Sequence, residues 1–279
     1  MLKTTVERGR EALLQDIALY INRDCDADRC RSIEEQLEAL GMGGERIRAV
    51  EKNNLPPELI PYFAHRVLNK PPLMSPSEIG CYGSHLLTWM KIVADNRPVT
   101  LVLEDDAELE ADLETVLPEL IATLPQGWDF VQLSRKPDRA YRELASLAGG
   151  RKLVRYSRIP ANTAGYLISR QGAEKMLKAI PRIWPVDCDT RRPWVFDVDA
   201  YGVVPPPIGQ NKSAFGTVMT GKSRLRRGLP RITAYSWSSN PMRSPASLAF
   251  NIRKLGLGWW LRCVFQNAGI RVGKWLHIR

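Results

Sequence analysis

This 279-residue chain lacks any uncharged apolar run of the roughly 18 residues that a membrane-spanning helix needs. Its first 16 residues carry charge and no apolar core, so no signal peptide is expected there. Cysteine is scarce: five residues (Cys25, Cys30, Cys81, Cys188 and Cys263), odd in number and scattered, with no CxxC pair or Cys/His cluster. That argues against a structural zinc site and a disulfide framework, and makes a reducing cytoplasm the simplest setting. Repeats and low-complexity tracts are absent. Acidic residues stop at Asp199, and residues 200–279 hold 13 Lys and Arg with no Asp or Glu. The rest of the chain is near neutral, at −3 of the overall +10. A near-neutral body with a basic tail points to a polyanionic partner for the tail: anionic lipid, nucleic acid or an acidic protein.

What is present is an ordinary globular composition, 44% hydrophobic and 25% charged, long enough for one large domain with an extension. Short apolar runs alternate with helical patterns through the first 200 residues. Strands are expected at 17–21, 46–50, 99–103, 128–133, 164–169 and 200–204, and helices at 28–40, 76–96, 112–123 and 171–180. Residues 149–158 read as a hairpin or an irregular segment. Ser75-Pro76-Ser77-Glu78 has the form of a capping box, with proline in the first helical turn. The alternation argues for an α/β domain with a mostly parallel sheet.

The run at 99–103 delivers Glu104-Asp105-Asp106 to its end. Three adjacent carboxylates repel unless a cation neutralises them, and carboxylate oxygens suit hard divalent ions such as Mg²⁺ and Mn²⁺. Ligands of open α/β sheets gather beyond the carboxyl ends of strands. A metal site for a phosphorylated substrate is one reading; an acidic loop with Asp106 capping the next helix is the other. On extended backbone Glu104 and Asp106 face one side and Asp105 the other, toward a ribose hydroxyl or a backbone cap.

Several segments together resemble glycosyltransferase family 25, the lipooligosaccharide and procollagen galactosyltransferase type. They are Ala18 to Asp24 with Arg29; Ser75-Pro76-Ser77-Glu78-Ile79-Gly80-Cys81-Tyr82-Gly83-Ser84-His85-Leu86 with Trp89; and Leu103-Glu104-Asp105-Asp106. Thr163-Ala164-Gly165-Tyr166-Leu167-Ile168-Ser169, then Gly172-Ala173-Glu174-Lys175, and Val186-Asp187 complete the series. Arg23 stands where the opening signature usually has Leu. The resemblance spans residues 17–215 and implies a GT-A-like nucleotide-sugar-binding fold. It divides the chain into a catalytic domain, 1–215, and a basic, partly helical extension, 216–279. It further implies inverting transfer from a UDP-sugar, galactose favoured, to a glycan acceptor such as lipooligosaccharide, assisted by Mn²⁺ or Mg²⁺.

On that reading Glu104 and Asp106 are the metal ligands, and Asp187 is the first choice for the base that deprotonates the acceptor. Asp189, Asp197 and Asp199 are rivals; all four can instead pair with Arg182, Arg191 and Arg192. Asn22, Asp24, Arg29, His85, Asp105 and Gln210, with Asn211, are candidates for holding the donor. Helix capping by Asp24 or Asp28, and a hydrogen-bonded packing role for His85, are the plainer readings.

In the tail, Lys222, Arg224, Arg226 and Arg227 form a basic cluster. Leu257, Leu261, Val264, Phe265, Ala268, Val272, Trp275 and Leu276 recur at helical spacing beside Trp259, Trp260 and several cations. The pattern fits a helix lying on an anionic membrane, which would place the enzyme peripherally on the inner face and suit a lipid-linked acceptor. A helical pair docked on the catalytic domain is the alternative. Gly256, Gly258, Gly269 and Gly273 argue against one continuous helix. A non-catalytic relative of the fold and a nucleic-acid or polyanion binder are the rival classes. No RNA- or DNA-binding module is present, so nucleic acid is not an expected partner.

Overall fold

The computed structural model of the protein describes residues 12–51, 54–63, 74–211 and 245–276. Eight strands form one sheet in the order β2-β1-β3-β8-β5-β9-β7-β6. They are β1 (Ala18–Asn22), β2 (Gly44–Arg48), β3 (Val99–Glu104), β5 (Phe130–Gln132), β6 (Tyr141–Ser146), β7 (Lys152–Tyr156), β8 (Gly165–Ser169) and β9 (Ala200–Val204). The short strands β4 (Ala107–Leu109) and β10 (Ile208–Gln210) make a second, two-stranded sheet.

The α/β class holds, but the sheet is mixed rather than mostly parallel. β1 runs parallel to β2 and β3, and β5 to β9, while the other four pairings are antiparallel. The strand at 164–169 is the reason: it enters between β3 and β5 against both. That reversal positions the site. The end of β3 lies beside the end of β1, with Ile21 opposite Glu104, and beside the beginning of β8, with Leu103 opposite Gly165.

Alternation along the central strands sorts side chains into two apolar clusters. Tyr20, Leu101, Leu103 and Leu167 join Ile33 and Leu37 of α1 (Ala27–Ala39) and Leu113, Leu117 and Leu120 of α3 (Leu113–Thr123). Leu19, Ile21, Val102, Tyr166 and Ile168 face the other way, onto Tyr82, Leu86, Trp89 and Ile92 of α2 (Pro76–Ala94). Helices α4 (Arg170–Met176), α5 (Val186–Asp189) and α6 (Pro193–Phe196) follow. The helix expected at 171–180 ends at Met176, before its two prolines, and the strand expected at 46–50 lies two residues earlier.

The α2 motif explains how this helix approaches the sheet. Ser75 Oγ accepts the Glu78 amide and Glu78 Oε2 accepts the Ser75 amide at 2.7 Å, a closed capping box with Pro76 in the first turn. A side chain at Gly83 would sit 3.2–3.3 Å from Leu59 and Val50, so glycine lets the segment after β2 pack close. The adjacent Ser84 hydroxyl accepts the Val50 amide at 2.9 Å and donates to the Gly80 carbonyl at 2.8 Å. That close contact fixes which face of α2 looks into the site.

In the extension, α7 (Pro245–Leu255) and α8 (Leu257–Leu276) are separated by Gly256 at φ +79°. Gly258 and Gly269 fall inside α8 rather than breaking it. Both helices contact the α/β body. Arg253 pairs with Asp197 and Lys254 with Asp199, while Asn267 Oδ1 accepts the Ala140 amide at 2.8 Å. Phe250, Leu255 and Cys263 are buried. The basic cluster from Lys222 to Arg227 lies outside the described residues.

Removing the capping hydroxyl with Ser75→Ala should cost about 1 kcal/mol of stability. Urea unfolding should show a lower midpoint with an unchanged slope.

Candidate active site

A cleft of about 610 Å³ opens beyond the carboxyl ends of β1 and β3. Asn22, Arg29, His85, Glu104, Asp105, Asp106, Asp187 and Gln210 all line it, joined by Cys81, Arg135 and Thr163. Two candidates for holding the donor lie outside its lining: Asn211, whose amide donates to the Asp106 carbonyl at 2.8 Å, and Asp24. Half exposed, it pairs with Arg46 at 2.6 Å and Arg48 at 2.8 Å on β2. Its neighbours Arg23 and Asp26 line the cleft instead, paired at 2.6 Å.

The three consecutive acids meet three different environments. Asp105 turns toward β1, where Oδ2 accepts Asn22 Nδ2 at 2.8 Å and Oδ1 accepts Arg29 at 3.1 Å. Asn22 is 1% exposed and also accepts Arg46 Nε at 3.0 Å, so this corner is rigid. Both Asp105 oxygens thus tie the end of β3 to β1 and α1. Burial nevertheless pushes its carboxyl above the usual value, against the Asn22 and Arg29 bonds.

Glu104 turns toward α2. Its Oε1 accepts Thr163 Oγ1 at 2.5 Å and lies 3.3 Å from His85 Nε2. His85 is fully buried, with Nδ1 2.9 Å from the Tyr166 hydroxyl, which accepts the Trp89 indole N–H at 2.9 Å. An indole only donates, so a chain running Trp89, Tyr166, His85, Glu104 satisfies every group in it. Burial raises the Glu104 carboxyl, but the His85 and Thr163 bonds outweigh it and hold the group ionised, below its usual value.

Asp106 is the strained member. Gln210 Nε2 donates to Oδ2 at 3.0 Å, a contact made by the antiparallel pairing of β10 with β4, which sets Gln210 opposite Ala107. Oδ1 is buried without a hydrogen-bond partner among the described residues. Burial first, then the charge of Glu104, push this carboxyl up to about 6. A carboxylate with one oxygen buried and unpaired, beside a charged neighbour, fits a divalent ion, which would relieve both penalties. The donor set here is oxygen-rich and hard, with Asp106 and Glu104 in the same cleft. Cys81, His85 and Glu104 also converge within 4.8 Å. That trio is a poor rival: both His85 nitrogens are engaged, and burial pushes the Cys81 thiol well up, away from the ligating thiolate.

Among the four acids considered for the base, Asp187 alone lines the cleft. It lies on α5 after Pro185. Asp189, two residues on, turns into the body, where it accepts Tyr82 at 3.1 Å and pairs with Arg192 at 3.0 Å. Asp197 and Asp199 are held by Arg253, Arg155 and Lys254. Arg135, Asn162 and Thr163 are cleft residues that sequence reasoning assigned no role. Thr163 carried a signal, standing first in the strand motif that faces the acids. Arg135 carried none.

Comparison with known proteins gives a consistent result. The family model described as glycosyltransferase family 25 (LPS biosynthesis protein) matches residues 17–190. A glycosyltransferase 25 family member of Aedes aegypti is 30% identical over 179 residues, 60% of this chain and 29% of the relative. Procollagen galactosyltransferase 1-B of Xenopus laevis is 40% identical over 117 residues, 39% of this chain and 19% of the relative. A probable inactive glycosyltransferase 25 family member 3 of Rattus norvegicus is 32% identical over 121 residues, 41% of this chain and 20% of the relative. The chain thus spans less than a third of the length of these relatives.

Asp106 has a folded-state pKa above its unfolded one, so its ionised form destabilises the fold above about pH 6, and the penalty fades as the pH falls toward 4. Asp106→Asn should therefore stabilise the chelator-treated protein at pH 7.5 by about 2 kcal/mol. The gain should shrink at pH 5, read as the difference between thermal unfolding curves of the two proteins.

Proposed function

Because the chain belongs to glycosyltransferase family 25, we propose that it transfers a sugar, galactose favoured, from a UDP-sugar to a glycan acceptor with inversion. The observation that carries this reading is the union of Glu104, Asp105, Asp106 and Asp187 in one cleft, with Asp106 Oδ1 buried and unpaired. The position at the carboxyl ends of β1 and β3 is where an α/β sheet takes a nucleotide, as in the GT-A-like arrangement.

In this mechanism Asp106 and Glu104 would hold a divalent ion, Mn²⁺ or Mg²⁺, which when bound would supply Lewis-acid stabilisation of the departing diphosphate. His85 and Thr163 fix the orientation of Glu104. Asn22, Arg29 and Asp105 form the fixed wall for the nucleoside end, and Gln210 anchors Asp106 from the other side. Asp187 takes the proton of the acceptor hydroxyl as its oxygen bonds to the anomeric carbon. The bond from that carbon to the diphosphate oxygen breaks, and UDP leaves with the electron pair.

UDP-galactose turnover in the presence of a glycan acceptor mixture should require added Mn²⁺ or Mg²⁺ and should be abolished by Asp106→Asn. Asp187→Asn should lower kcat by about 100-fold or more while leaving UDP binding intact. A chain that binds UDP with metal but turns over no UDP-sugar would be a non-catalytic member of the family.

The tail has its own proposed role. No helix among the described residues is long and apolar enough to cross a membrane. Yet Leu257, Leu261 and Phe265, at successive turns of α8, are 57%, 43% and 74% exposed, in a segment without one acidic residue. An apolar stripe on a cationic helix fits an anionic bilayer surface, and so a lipid-linked acceptor. The full chain should float with phosphatidylglycerol vesicles and not with phosphatidylcholine ones. Leu261→Glu with Phe265→Glu should weaken that binding at least about tenfold; undiminished flotation would exclude the helix as the contact.

A further inference from the structure

The cleft does not end at the acids. A second cavity of about 640 Å³ shares Arg135, Ala161, Asn162 and Gln210 with it, so the two are adjoining arms on either side of these residues. The charge reverses from one arm to the other. The first arm carries Glu104, Asp105, Asp106 and Asp187. The second carries Arg135, Lys136 and Arg191 against the single acid Asp138, which itself lies 3.8 Å from Arg139.

The two kinds of cation differ in character. Arg191 is 7% exposed and fixed by its Nε bond to the Ile159 carbonyl at 3.0 Å, a charge little screened by water. Arg135 and Lys136 are exposed, three and four residues past the end of β5, and make no ion pair among the described residues. Gln210 sits at the junction, bonded to Asp106 on one side and lining the second arm on the other.

A metal-bound diphosphate brings its own cation and suits the acidic arm. The cationic arm then calls for an anion that arrives on the other substrate. Resting on the transferase reading above, we propose that the second arm is the acceptor subsite. It takes a glycan bearing a phosphate or carboxylate group, which Arg135 and Lys136 bind as charge-assisted hydrogen-bond donors. Specificity for an anionic acceptor is therefore set by these two side chains, outside the residues that hold the donor's metal.

The test is calorimetric titration of the full chain, saturated with UDP and Mn²⁺, with glucose 6-phosphate, glucuronate and glucose. The expected result is about tenfold tighter binding of at least one anionic sugar over glucose. The phosphate and carboxylate arms tell which anion is preferred. Arg135→Gln with Lys136→Gln should bring the preference to within about twofold, and Arg135→Lys with Lys136→Arg should retain most of it. Equal binding of all three sugars by the native chain, retention of the preference in the double glutamine variant, or competition between UDP and glucose 6-phosphate would overturn the proposal. Failure of the transferase reading looks different: no stabilisation of the native chain by UDP with Mn²⁺, whatever the sugars do.

Discussion

Glu104, Asp105 and Asp106 put three carboxylates on three successive residues, and at about 4 Å two such charges repel by several kcal/mol in a protein environment. The fold separates them by giving each a different neighbour. Asp105 is drawn to Asn22 and Arg29 at the end of β1, Glu104 to Thr163 and His85, and Asp106 to Gln210 from a separate small sheet. Four distant stretches of chain converge on three residues. The neutralisation is unequal by construction: Asp105 has a guanidinium, Glu104 two donors, and Asp106 one amide and one orphaned oxygen. The site thus keeps one carboxylate in deficit, and a deficit in a buried place is what a cation relieves.

The mixed sheet is what makes the convergence possible. A parallel neighbour for β3 would have brought another strand end to the cleft. The antiparallel β8 brings a strand beginning, with Thr163 just before it and Tyr166 inside it, directly under His85. Tyr166 stacks on Phe130 with ring centroids 4.9 Å apart, so the polar chain from Trp89 to Glu104 is braced by the apolar core. Glu104 is therefore a positioned carboxylate whose geometry is inherited from the helix motif, not adjusted locally. The Gly80 to His85 segment has one job at several positions: Gly83 lets α2 close on Val50, Ser84 locks that approach, and His85 transmits it to the acid.

Much of this was legible in the sequence where the chemistry is contiguous. The Glu104 to Asp106 run, the capping box at Ser75 and the helix carrying His85 can each be read from adjacent residues. What was not legible depends on partners far along the chain. Asp24 and Asp26 are two residues apart and equally polar; which one faces the cleft is settled by Arg46 and Arg48 on β2, which capture Asp24. Strands β4 and β10, three residues each, are too short for an alternating pattern to register. β6 is an edge strand with little buried surface, so it carries no apolar alternation either. Arg135 follows a buried strand as any loop cation does, and only its place between the two cavities sets it apart.

The acid-free tail shows how one compositional bias can serve two ends. Arg253 and Lys254 meet Asp197 and Asp199, two of the last acids in the chain, so part of the positive charge is spent in docking the extension. The docking also removes Asp199 from any part in the cleft, since Arg155 and Lys254 hold its carboxyl below the usual value against the effect of burial. Helix α8 then divides by face. Cys263 and Asn267 turn to the body, and Leu257, Leu261 and Phe265, four residues apart, share an outward stripe. Leaving three large apolar side chains in water forgoes several kcal/mol of burial. A helix free only to pack on its own domain would have turned that stripe inward. The contacts that hold Asn267 and Cys263 prevent the rotation, so the stripe is held outward by the same packing that fixes the helix.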